Sequence, residues 1–163
     1  MTVIDIKGSP NRISKEETCR CVDWFLELLI PEVHYKLSVD IEFRPYFLKQ
    51  TNAEAQMAPH EYGKSPREFS IVLDGCLTRP RTIKALAHEC VHVKQFALNE
   101  YTEDELFGGD IWLGKVVSPY LDYWDQPWEI EAMGREVGLY KRYKDMINKE
   151  KRSLKYSKKV LII

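Results

Sequence analysis

The ten residues Leu86-Ala-His-Glu-Cys-Val-His-Val-Lys-Gln95 constrain this chain more than any other stretch. On a helix His88 and His92 lie one turn apart, so both imidazoles point at the same spot in space. Glu89 is rotated by about 100° from His88 and stands beside that spot rather than on it. H-E-x-x-H on a helix is a pattern that binds zinc through two imidazoles and carries a general base between them. Zinc lowers the pKa of a bound water from about 15.7 toward about 7, and a carboxylate at Glu89 can take that proton. The neighbouring residues predict the helix. Thr78 is a candidate N-cap and Pro80 sits in the first turn. Ile83, Leu86 or Ala87, Cys90, Val93 and Ala97 recur at helical spacing, giving a helix from about Pro80 to Leu98 with one buried stripe. The histidines fall at the margin of that stripe, open toward a cleft.

The rest of the chain reads as the means of holding this helix. Residues 1–8 alternate and predict a short edge strand, broken by Gly8-Ser-Pro-Asn11. Ser14-Lys-Glu-Glu17 is a capping-box pattern opening a helix that Pro31 ends, with Val22, Phe25, Leu26 and Leu29 as its buried stripe. Leu37–Arg44 and Glu68–Asp74 alternate as half-buried strands. The polar stretch from Gln50 to Arg67, with Pro59, Gly63 and Pro66, predicts a loop or irregular hairpin. A long, mostly irregular connection from Asn99 to Asp125 carries Phe107, Gly108, Gly109, Trp112, Tyr120, Tyr123 and Trp124. A last helix opens at Gln126-Pro127 and runs to about Asn148. These elements predict an α+β fold: one domain over residues 1–148, then a basic tail over residues 149–163.

With 163 residues, the chain can bury a core without covalent staples. Its four cysteines show no metal-binding or framework spacing and read as reduced thiols, which fits a cytoplasmic protein. The start has no signal-peptide pattern, and no stretch reaches the roughly 18 apolar residues of a membrane span. A net charge of −1 gives no global reason to expect nucleic acid as a partner. The tail concentrates Lys149, Lys151, Arg152, Lys155, Lys158 and Lys159 against Glu150 alone, and reads as a solvated terminus.

Catalytic zinc takes three protein ligands and one open position, so two histidines need a partner. The continuation H-E-x-x-H-x-x-G-x-x-H is absent, because Gln95 and Leu98 stand where Gly and His would be. His34 and His60 lie on stretches that do not obviously return to the motif helix. The last helix offers Glu129 and Glu131, about 200° apart, so only one can face the metal. Glu129 has a structural alternative at the third helical position, where a carboxylate caps the helix. Glu131 shares a face with Gly134, Arg135 and Gly138. Those glycines, costing on the order of 1 kcal/mol each, suggest close helix approach. Glu131 is therefore the expected third ligand and Glu129 the alternative.

His88-Glu-Cys-Val-His92 followed by Glu131-Ala132 resembles the zincin-like metallopeptidases of the gluzincin type, over about Glu68 to Tyr140. The short chain is similar to their compact minigluzincin-like and IrrE-like members, many of them bacterial or phage proteins. The resemblance implies a small mixed sheet backing the motif helix, and a later helix that carries a Glu ligand. It also implies an edge strand, here Glu68–Asp74, that binds an extended peptide by strand addition. One departure is Arg135, where thermolysin-like members carry Asp, which leaves the partner orienting His88 unassigned. SprT-like proteins differ in using a His as third ligand.

The resulting expectation is a zinc-dependent peptidase acting on a peptide or protein substrate, with Zn2+ on His88, His92 and Glu131 and with Glu89 as general base. An oxyanion donor is expected near the metal, with Tyr120, Tyr123 and Tyr140 as candidates and Tyr123 the one taken. The competing expectation is a non-catalytic, zinc-stabilised binding protein on the same fold.

Overall fold

Alternating apolar residues at Val3–Lys7 (β1), Ser38–Arg44 (β2) and Glu68–Asp74 (β4) build three parallel strands, with β2 between β1 and β4. This is a computed structural model, and it describes residues 1–103 and 109–160, the last five by backbone alone. Ile41 lies opposite Ile71 and Phe43 opposite Leu73. With Val39 and Phe69 they form a buried apolar face, while Asp40, Glu42, Ser70 and Val72 on the other face are half-buried. The period-2 pattern fixes this register, because a one-residue slip would turn the apolar set outward.

A fourth strand, β3 (Ala55–Pro59), pairs antiparallel with β4, so the order is β1-β2-β4-β3. The expected edge strand Glu68–Asp74 is therefore interior, paired on both sides; β3 is the edge beside it, and β1, as expected, is the other. A short helix, α2 (Phe47–Thr51), runs into the start of the stretch read as a loop from Gln50 to Arg67. Ala-Gln-Met-Ala-Pro carries no β-branched residue and only a weak alternation. It becomes a strand because β4 offers an unpaired row of backbone groups.

Helix α1 (Lys15–Leu29) begins where the sequence predicts, with Ser14 Oγ accepting the Glu17 N–H at 3.0 Å. The Glu17 carboxylate accepts from the guanidinium of Arg79, the first residue of α3 (Arg79–Ala97). Val22, Phe25 and Leu26 of α1 and Ile83, Leu86, Ala87, Cys90 and Val93 of α3 form one core with the sheet. Burial on α3 goes beyond the expected stripe and takes in Val91, Lys94, Gln95 and Phe96. The sheet, α1 and the last helix together enclose it.

That last helix, α4 (Pro127–Val160), packs on α3 through Trp128, Ala132, Leu139, Tyr143 and Ile147. It does not stop near Asn148. No Gly or Pro interrupts residues 149–160, and Glu150 pairs with Arg20 of α1, so the basic segment is helical as far as Val160. Leu161–Ile163 lie outside the described residues. The connection from Asn99 holds a three-stranded sheet of β5 (Tyr101–Thr102), β6 (Ile111–Trp112) and β7 (Lys115–Val116), and Phe107 and Gly108 within it lie outside the described residues. The architecture is α+β, a small mixed sheet with helices. The four cysteines are unpaired. No helix among the described residues is long and apolar enough to cross a membrane.

Candidate metal centre

His88 and His92 project from the middle of α3 with 15% and 13% of their side chains exposed. The two Nε2 atoms stand 3.0 Å apart. The carboxylate that meets them is Glu129: Oε2 lies 3.3 Å from His88 Nε2, and Oε1 lies 3.4 Å from His92 Nε2. Among the described residues, His88, His92 and Glu129 are a group of donors that could hold a metal ion.

The structure does not bring Glu131 to the histidines. Its Oε1 accepts from Lys94 Nζ at 2.7 Å and Arg135 Nε at 2.8 Å, and its Oε2 accepts from Gln95 Nε2 at 3.0 Å. Lys94, only 8% exposed, also meets Glu100 Oε2 at 2.5 Å. The reason is which face of α4 is buried. With Trp128, Ala132, Leu139 and Tyr143 against the core, Glu129 and Glu136 fall on one flank of that face and Glu131 and Arg135 on the other. The glycine argument for Glu131 also fails, since a Cβ at Gly134 or Gly138 would meet nothing within 4 Å.

Glu129 sits in the first turn of α4, where the helix dipole favours a negative charge. Burial pushes its carboxyl pKa up. Hydrogen bonds with His88, His92 and Tyr123, and the charge of His92, outweigh that and hold it far below the usual carboxylate range. For His92, burial acts downward, but the Glu129 hydrogen bond and the charges of Glu89 and Glu129 hold its pKa above the ordinary value. The two groups thus stabilise each other's charged forms.

Glu89 is 5% exposed and lies against the edge strand. Burial raises its pKa above the usual carboxylate value, with His92, His88 and the Met57 backbone opposing and Glu129 reinforcing. A cleft of about 1200 Å³ opens over the group, lined by Met57 of β3, Lys84, His88, Glu89, Tyr123 and Glu136 among others. Tyr123 is at the site, as the sequence suggests, but its hydroxyl donates to Glu129 Oε2 at 2.7 Å. Tyr120 is 94% exposed, and Tyr140 lies beneath the Lys84 ammonium.

Two partners escaped the sequence reading. Glu136 Oε2 stands 3.3 Å from His88 Nδ1, filling the orienting role that Arg135 left open. Gln95 Oε1 stands 2.8 Å from His92 Nδ1. The signals were present: Glu136 follows Glu129 by seven residues, two turns along the same face, and Gln95 follows His92 by three. His34 and His60 are elsewhere. His34 Nδ1 meets Pro31 O, and His60 lies between Asp40 and Glu68.

Comparison of the chain with protein-family models, with curated proteins and with solved structures finds no match in any of the three.

Proposed function

We propose that the protein is a zinc-dependent metallopeptidase whose metal ligands are His88, His92 and Glu129 and whose general base is Glu89. The observation that carries this reading is the convergence of His88, His92 and Glu129, whose ligand atoms lie within 4.8 Å of one another, beside a buried carboxylate at a cleft. Zinc–ligand bonds of about 2.0–2.2 Å at tetrahedral angles separate neighbouring ligand atoms by about 3.3–3.6 Å. Each imidazole stands at that separation from one Glu129 oxygen, and the two imidazoles, 3.0 Å apart, would part by a few tenths of an ångström to hold such an ion. Two imidazoles and one carboxylate also leave one position open. When bound, zinc supplies Lewis acidity, acidifying a water and polarising a carbonyl.

The chain's own residues do the rest. Glu89, with its carboxyl pKa raised, is suited to take a proton from water and to pass it to the leaving amine. Glu136 holds His88 from behind. Tyr123 is assigned to the developing oxyanion, its hydroxyl turning from Glu129 toward the cleft. The free edge of β3, which borders the cleft, supplies backbone groups for an extended peptide. In this reading the zincin-like resemblance keeps its H-E-x-x-H part and loses the Glu131-Ala132 part.

Bound zinc and hydrolysis of a quenched-fluorescent peptide library are to be measured for wild type, Glu89→Gln and Tyr123→Phe. Glu89→Gln is expected to keep its zinc and lose activity by about 10²-fold or more, and Tyr123→Phe to lose kcat with zinc retained. Unchanged activity in Glu89→Gln would falsify the assignment. Zinc binding without turnover of any substrate favours the zinc-stabilised binding protein instead.

A further inference from the structure

We infer that Gln95 is a positioning residue. It is a buried amide whose orientation is dictated by α4 and which in turn sets the tautomer of His92, so that the Nε2 lone pair faces the candidate metal centre. Gln95 is 0% exposed, so every partner it has must come from the protein. Its Nε2 lies 2.9 Å from the Trp128 carbonyl and 3.0 Å from Glu131 Oε2. Both of these groups are acceptors, and an amide NH2 has two hydrogens to give. A flipped amide would set its oxygen against two oxygens, leaving all three without a proton between them. The NH2 therefore faces α4, and Oε1 faces His92 Nδ1 at 2.8 Å.

An amide oxygen can only accept, so the Gln95 contact at 2.8 Å requires a proton on His92 Nδ1 and outcompetes the longer approach of Glu129 Oε1 to Nε2 at 3.4 Å. The neutral ring then has its lone pair on Nε2, the atom beside His88 Nε2 and Glu129 Oε1. Glu131 acts here at one remove. Lys94 and Arg135 keep it an anionic acceptor on one oxygen, and the other oxygen fixes the amide. The same amide grips α4 at Trp128 and Glu131, one residue before and two after Glu129, and so also fixes where Glu129 leaves its helix. The relevance to metal binding rests on the function proposed above; the tautomer does not.

The test is side-chain 15N NMR of the metal-free full-length protein, at a pH high enough for neutral imidazole, followed by zinc titration against a competing chelator. Wild-type His92 is expected as the Nδ1–H tautomer. Gln95→Met, of similar volume and without an amide, should move His92 toward Nε2–H and weaken zinc binding by about 10–100-fold. The buried variant Cys90→Ala, on the same helix, controls for a merely structural loss; it should lower the melting temperature and leave the tautomer unchanged. A wild-type His92 found as Nε2–H overturns the inference with no variant needed, and so does a Gln95→Met protein that keeps the Nδ1–H form. Failure of wild type to bind zinc, with the tautomer as stated, removes the metallopeptidase reading and leaves the Gln95 assignment standing.

Discussion

Glu129 and Glu131 are two positions apart, and each is nearly enclosed by donors of one kind: imidazoles and a phenol for the first, an ammonium, a guanidinium and an amide for the second. Lys94, Arg135 and Gln95 hold the Glu131 carboxylate on the flank of α4 away from the histidines. Glu129→Gln is therefore expected to abolish zinc binding at concentrations where Glu131→Gln still binds, the latter weakened by about 10–100-fold through Gln95. Competition titration of the two variants checks this, and equal losses would contradict it. His88, Glu89 and His92 were legible from spacing alone. The choice of carboxylate was not, because helix angle separates Glu129 from Glu131 without saying which flank faces α3. That depends on the stripe Trp128, Ala132, Leu139, Tyr143, which outweighs the hint from two glycines.

At the scale of elements, those glycines become a prediction of their own. Gly134 and Gly138 are exposed, interrupt a long helix and have open space where a Cβ would go. Gly134→Ala and Gly138→Ala should each stabilise the protein by about 0.5–1 kcal/mol, through lower backbone entropy in the unfolded chain. Denaturant melts read this, and destabilisation by either would show that α4 needs them.

The contact between α1 and α3 has its own signature. The Arg79 guanidinium, hydrogen-bonded to Glu17, holds that carboxyl below its usual range. A depressed carboxyl contributes stability above its unfolded value of about 4.3, and this is lost as pH falls through the folded value. The gap in melting temperature between wild type and Arg79→Met should thus be open at pH 6 and close toward pH 3. A gap independent of pH would contradict the pairing. The helices α1 and α3 and the strands β1, β2 and β4 were readable because periodicity marks each, and in α1 the Ser14 cap agrees with it; Thr78 stands at the N-cap of α3 without a side-chain capping bond. Strand β3 was not, since its strand character comes from the neighbour it pairs with. Nor was the length of α4 beyond Asn148, where a run of lysines reads equally as solvated coil or solvated helix.

For the whole molecule, the proposed function predicts that zinc, bound only by the folded state, adds stability by mass action. At a free zinc concentration about 100 times Kd the gain is about 2.7 kcal/mol. A domain of this size shifts by roughly 2–4 °C per kcal/mol, which gives a rise of about 5–11 °C. Calorimetry with zinc, and again after chelator, measures it. A melting temperature indifferent to both would dismiss the metal. The α+β class and the order of the major elements were visible in the sequence. The strand order β1-β2-β4-β3, which puts β3 rather than β4 beside the cleft, was not, because it depends on pairing across long separations in the chain.

The placement of the third donor on α4 has a consequence for a chain made from one end. Translation delivers the four strands of the main sheet and the histidine helix first, and Glu129 later. The nascent protein therefore carries His88, Glu89 and His92 for a time without the carboxylate that closes the group. Gln95, waiting on the same helix, has neither of its α4 acceptors, so His92 has no dictated tautomer either. Docking of one helix supplies the ligand and the orientation together. On the proposed function, hydrolytic capacity arrives only once α4, buried as far along as Ile147, has docked.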